Sequence, residues 1–167
     1  MLRVLILILV VTSGVFASDG DSYGLQRGSV GAYVGGGPWV SYGTHPQIGG
    51  GMDFGLAKYV GLYAGVGEGL AYRAQVGTFA AGGGVMIAAT NKSRIVPFAK
   101  FGGTYNRTTV FGVGGVNIPV IGYGGGVDAY CTRHFGIHTG VSGGRSVGRF
   151  GGGNSATVSF GVFYRSK

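Results

Sequence analysis

Ser155-Ala156-Thr157-Val158-Ser159-Phe160-Gly161-Val162-Phe163-Tyr164 is the stretch from which the rest of the chain can be read. In an extended chain, Ala156, Val158, Phe160, Val162 and Tyr164 share one face, with Ser155, Thr157, Ser159 and Gly161 on the other. Side chains alternate across a strand with a period of two, so this segment is a strand with one apolar face and one small or polar face. Upstream, Phe135, Ile137, Thr139 and Val141 alternate with Gly136, His138, Gly140 and Ser142. Before them, Ile121, Tyr123, Val127 and Ala129 alternate with Gly122, Gly124, Gly126 and Asp128. The same design runs back through Phe79 to Ile87 and through Ile48 to Leu56, and Val30 to Gly37, Val60 to Leu70 and Val96 to Asn106 bring the expected strands to eight.

Charged residues make up only 11% of the chain against 45% hydrophobic, whereas a water-soluble surface normally carries about a quarter or more of charged side chains. Lipid is the natural solvent for the apolar face. Beyond the amino terminus no apolar stretch approaches the roughly twenty residues of a transmembrane helix. The remaining way to satisfy every backbone group in a bilayer is a closed barrel of about ten-residue strands. The expected fold is therefore all-β: an eight-stranded antiparallel up-and-down transmembrane β-barrel. The 39 glycines suit its interior, because eight strands enclose only enough space for side chains to fill. They do not indicate disorder, since disordered chains are poor in apolar residues and rich in charge.

At the amino terminus Arg3 precedes an apolar run, and Val15-Phe16-Ala17 presents small residues where a signal peptidase cuts. Residues 1–17 are expected to be a signal peptide and 18–167 one barrel domain. Cys131 is the single cysteine, so no intramolecular disulfide stabilises the exported chain.

An even strand count returns both ends of the chain to one side, here the periplasm. Ala57-Lys58-Tyr59, Thr90 to Arg94 and Thr132-Arg133-His134 read as short periplasmic turns. Trp39 to Pro46, Ala71 to Ala74, Arg107 to Asn117 and Val147 to Gly153 read as outer loops. Trp39, Tyr42, Tyr72 and Tyr105 are expected in an outer aromatic girdle and Tyr59, Tyr130, Phe135 and Tyr164 in an inner one.

Val96-Pro97-Phe98-Ala99-Lys100-Phe101-Gly102-Gly103 and Gly124-Gly125-Gly126-Val127-Asp128-Ala129-Tyr130 resemble phrases of the outer-membrane β-barrel family typified by the OmpA transmembrane domain and OmpX. The resemblance spans essentially the whole mature length. It implies residence in the bacterial outer membrane, insertion by the barrel-assembly machinery, and contact with outer-membrane lipids and lipopolysaccharide. The final aromatic that such chains present to that machinery is displaced here, because Arg165-Ser166-Lys167 follow Tyr164.

Asp53, Lys100, Asp128 and His138 fall on inward faces otherwise lined by small residues, and buried charges need partners. Lys100 and Asp128 lie on consecutive strands and are expected to form an ion pair within a lumenal polar network that plugs the barrel. A gated or narrow ion pathway through the same residues is the functional alternative. His134, His138 and Ser142 do not compose a lipid deacylase, since His138 and Ser142 point inward, away from a lipid substrate. Residues four apart on a strand are about 13 Å apart and cannot share a metal ion. Neither Gly35-Gly36-Gly37 nor Gly151-Gly152-Gly153 has the Lys-Ser/Thr sequel of a phosphate cradle. No catalytic residue, cofactor or metal is expected.

With Arg3 in the leader, twelve Lys and Arg remain against five Asp and Glu. Such a balance suggests nucleic acid in general, but export and the scatter of the charges over turns and loops argue against that partner. Arg73, Arg107, Arg145 and Arg149 fall near the outer rim, where they can contact lipopolysaccharide phosphates through charge-assisted hydrogen bonds. The reading that follows is a monomeric structural or adhesive barrel with a side-chain-filled lumen. A small-solute or ion channel is the first alternative, and a soluble secreted Gly-rich membrane-binding protein, such as an attacin-like factor, the second.

Overall fold

The computed structural model describes residues 22–40, 44–71, 75–110, 113–147 and 153–166. Eight strands run β1 (Val30–Val40), β2 (Thr44–Ala57), β3 (Val60–Ala71), β4 (Val76–Ala88), β5 (Ile95–Val110), β6 (Gly114–Tyr130), β7 (Phe135–Ser146) and β8 (Asn154–Arg165). Each pairs antiparallel with its sequence neighbours, and β8 pairs with β1 to close the barrel. Closure leaves no sheet edge at the seam, the condition for a sheet to cross hydrocarbon.

The alternation seen in the sequence places large apolar side chains outside. Ile48 is 64% exposed and Phe160 63%, and Val34, Met52, Phe101 and Val162 stand outward in the same way. A belt of this size has no place on a monomer in water and matches the lipid-facing band of a membrane barrel. Phe135 and Tyr164 pack together on this face at the inner end, with ring centroids 4.9 Å apart. Tyr105 is outward near the other end.

Two aromatics expected in the girdles point inward instead. Trp39 shares the parity of Tyr33 on β1 and lies inside the barrel, 6.0 Å from the ring of His45. Tyr130 shares the parity of Asp128 and is 5% exposed, in the core. Closeness to a strand end suggested the girdle, but parity decides the face. Tyr42 and Tyr72 lie outside the described residues, as do the leader and Lys167.

Two outer connections are shorter than expected. The β1–β2 ladder continues without slip to Val40 paired with Thr44, and the β5–β6 ladder to Val110 paired with Gly114. Val40, Thr44, Thr108, Thr109, Val110 and Val116 are β-branched and favour the extended chain. Beyond the bilayer such strands meet water on their outer face, so their polar residues resembled loops. The turns at the other end agree with expectation, and Tyr59 takes φ 79° in the tight β2–β3 turn.

The core fills the end of the barrel that holds the short turns. Leu25, Met86, Ala88, Val96, Phe98, Tyr130 and Phe163 form it, with Tyr23, Tyr33 and Tyr63 packed against them. Leu25 and Tyr23 belong to the segment ahead of β1, which folds into the barrel mouth. Tyr23 and Asn91 exchange backbone hydrogen bonds, N to O, of 2.7 and 3.2 Å. Thr90 Oγ1 donates to Leu25 O at 2.7 Å. Gly24 takes φ 106°, where an L side chain is strained, and a Cβ there would run into the Ala89 carbonyl. Leu25 is 0% exposed, so the segment is a built stopper.

Candidate functional site: the charged lumen

Immediately inside the stopper lies the polar network. Asp53 is 6% exposed, Asp128 2%, His138 8% and Arg165 4%, so each charge depends on the others rather than on water. Arg165 Nη2 donates to Asp53 Oδ2 at 2.9 Å, while its Nη1 donates to Asp128 Oδ2 at 3.4 Å and to the Tyr130 hydroxyl at 2.8 Å. The other Asp128 oxygen accepts from His138 Nδ1 at 2.7 Å, which requires the proton on Nδ1, since an ionised carboxylate can only accept. The His138 ring stacks on Phe98, centroids 4.9 Å apart, and on Tyr33 at 5.2 Å.

Register explains these contacts. Asp128 stands directly opposite His138 on β7. Gly31 on β1 stands opposite Asp53 on β2 and opposite Arg165 on β8, so the two charges lie in one row with glycine between them. A Cβ on Gly31 would come within 2.5 Å of the Asp53 carboxylate. The missing side chain is what lets the carboxylate and the guanidinium meet.

Of the expected lumenal residues, Asp53, Asp128 and His138 are brought together through Arg165. Lys100 is not paired with Asp128. Lys100 lies opposite Gly124 whereas Asp128 lies opposite Val96, a stagger of four residues or about 13 Å along the strands. Its Nζ sits instead over the rings of Tyr33, Phe98 and Tyr63, at 4.4, 4.9 and 5.4 Å from their centroids. Each such contact is worth roughly 0.5–2 kcal/mol, more as water is excluded. Arg165, the centre of the network, went unassigned in the sequence reading. Its signal was present: counting by twos from Ser159 through Gly161 and Phe163 arrives at Arg165 on the inward face.

His134 is at the turn end, its Nδ1 2.9 Å from the Arg165 carbonyl, and takes no part in the network. Of the rim arginines, Arg107 faces outward on β5 between Phe79 and Asn117 of the adjoining strands. Arg145 is exposed on β7 opposite Ile121 and Asn154. Arg73 and Arg149 lie outside the described residues.

No protein-family model matches the sequence, and no curated protein matches it. Solved structures do. The N-terminal β-barrel domain of Pseudomonas aeruginosa OprF superposes with a TM-score of 0.71 at 16% identity, covering 84% of this chain and 98% of that one. Neisserial surface protein A (NspA) gives 0.62 at 15% identity, over 89% of this chain and 99% of its own. A de novo designed transmembrane β-barrel gives 0.56 at 16%, over 86% and 100%. Identities this low carry the fold: the chain is built as the small closed barrels of bacterial outer membranes are. The apolar outer belt, an independent observation, gives it the same solvent.

Proposed function

We propose that the protein is an integral outer-membrane barrel with a structural or surface-interaction role, non-catalytic and monomeric, inserted by the barrel-assembly machinery after removal of residues 1–17. The observation that carries this reading is the closure of the lumen at its inner end, although the side-chain filling expected of the whole lumen stops there and the outer half stays open. Leu25 and its cluster stop one mouth, and the Asp53–Arg165–Asp128–His138 network lies across the bore behind them. A barrel closed in this way presents two working surfaces, the lipid belt and the outer rim. Arg107 and Arg145 stand at that rim with exposed side chains, in keeping with contact to lipopolysaccharide phosphates.

Electrophoresis of the refolded protein with and without boiling, followed by planar-bilayer recording, tests the reading. A heat-modifiable band without stable conductance is the expected result. Discrete conductance would move the function to the ion pathway, and wild-type conductance in Lys100→Ala would then remove Lys100 from its route. The rim contact predicts that Arg107→Ala with Arg145→Ala lowers the unfolding temperature in lipopolysaccharide by several degrees and leaves it unchanged in neutral lipid; equal stability in both would end that part of the proposal. Release from membranes by carbonate would favour the soluble alternative.

A further inference from the structure

Past the charged network, away from the stopper, the barrel interior changes. Inward positions become glycine on strand after strand, among them Gly35, Gly49, Gly65, Gly82 and Gly140, and the space they vacate is a cavity of about 290 Å³. Its lining extends from Tyr33, Tyr63 and Lys100 at the floor to Trp39, Asn106 and Ser155 near the outer ends of the strands. Lys100 is an ammonium held over three aromatic rings, and among the described residues it has no carboxylate within ion-pair distance. The lumenal carboxylates are engaged below it by Arg165 and His138. Higher up, Thr78 borders the cavity at 7% exposure, and its Oγ1, like Asn106 Oδ1, is buried without a hydrogen-bond partner. Buried polar atoms are ordinarily satisfied, so these two unpartnered ones mark the outer approach to the cavity as a polar one.

We propose that this cavity binds a small oxyanion, a carboxylate or phosphate, with the Lys100 ammonium as its anchor. Charge selects the class. Among the described residues the one carboxylate bordering the cavity is Glu68, whose position on β3 alternates outward, while the hydroxyls of Thr104 and Ser142 offer O–H donors from the walls; the Ser159 hydroxyl already donates to the Gly140 carbonyl. Thr78 is eight residues from the Lys100 level, since its β5 partner is Thr108, or about 26 Å of strand. It therefore lines the approach, and Lys100 holds the anion. A cation would meet the ammonium at the end of the shaft, and a strong anion site gains from the hydrogen-bond donors that a Lys ammonium leaves unspent.

Calorimetric titration of the refolded barrel in a phosphate-free detergent tests this, with inorganic phosphate and acetate as probes and glucose as the uncharged control. Wild type should bind one anion saturably. Lys100→Met should weaken that binding by about tenfold or more, Lys100→Arg should retain it within a few-fold, and Lys92→Ala, which removes an exposed cation in the β4–β5 turn at the opposite end of the barrel, should leave it unchanged. Absence of saturable binding in wild type, binding unaltered in Lys100→Met, or binding lost with Lys92→Ala would each overturn the site, as would a preference for glucose. Should Lys100→Met fail to show the heat-modifiable band, the Lys100 Nζ resonance of wild type decides: a saturable shift on adding phosphate supports the site and a static resonance refutes it. Folding and conductance are read separately, so failure here leaves the structural reading of the barrel in place.

Discussion

The two halves of the lumen are built from the same strands by opposite means. Toward the short turns, inward positions carry Met86, Val96, Phe98, Tyr130, Phe163 and Arg165, and the segment around Leu25 fills what remains. Toward the outer ends the same strands carry glycine and hydroxyl residues, and a cavity of about 290 Å³ stays open. Within the belt the outward face stays apolar in both halves, because lipid asks for the same surface throughout, and it turns polar at the outer ends, where Glu68, Arg107 and Arg145 are exposed. The comparison teaches that in a small barrel the exterior is set by the solvent and the interior is free to differ. One half can be spent on stability and the other left as space.

The largest expected effect breaks the filled half. Arg165→Met removes the cation shared by Asp53 and Asp128 and strands two buried carboxylates, so the unfolding free energy in detergent should fall by about 3–5 kcal/mol. Urea titration followed by the unboiled gel band would measure it, and a loss below about 1 kcal/mol would show that the network is not a stabilising centre. Leu25→Ala should cost about 3 kcal/mol in the same assay, as expected for truncating a fully buried leucine, whereas a free amino-terminal arm would cost nothing. A glycine pair sharpens the contrast most directly. Gly31→Ala forces a Cβ against the Asp53 carboxylate and should cost about 1–3 kcal/mol. Gly67→Ala, in the open half, meets its nearest atom at 3.5 Å and should change stability by less than about 1 kcal/mol, in either direction. Equal penalties for the two alanines would erase the distinction between the halves.

Strand positions, their number and their inward and outward faces were legible in the chain, since each depends on alternation within about ten residues. The stopper was not legible. Tyr23-Gly24-Leu25 shows no periodicity, and its burial depends on a mouth formed by residues more than sixty positions away, such as Thr90 and Val96. The candidate site was half legible. Asp53, Asp128 and His138 were recognisable as inward charges, but Lys100 was given to the wrong partner because adjacent strands do not imply adjacent levels.

What the sequence by itself determined is the alternation, and through it the solvent of each face and the barrel class, because side-chain direction in a strand is a local property with a period of two. What only the tertiary structure decided is which inward residues meet. Asp53 and Arg165 are 112 residues apart and share a row only because β8 closes onto β1 in one register, with Gly31 leaving room between them. Register and closure are properties of the whole sheet, and no ten-residue window contains them.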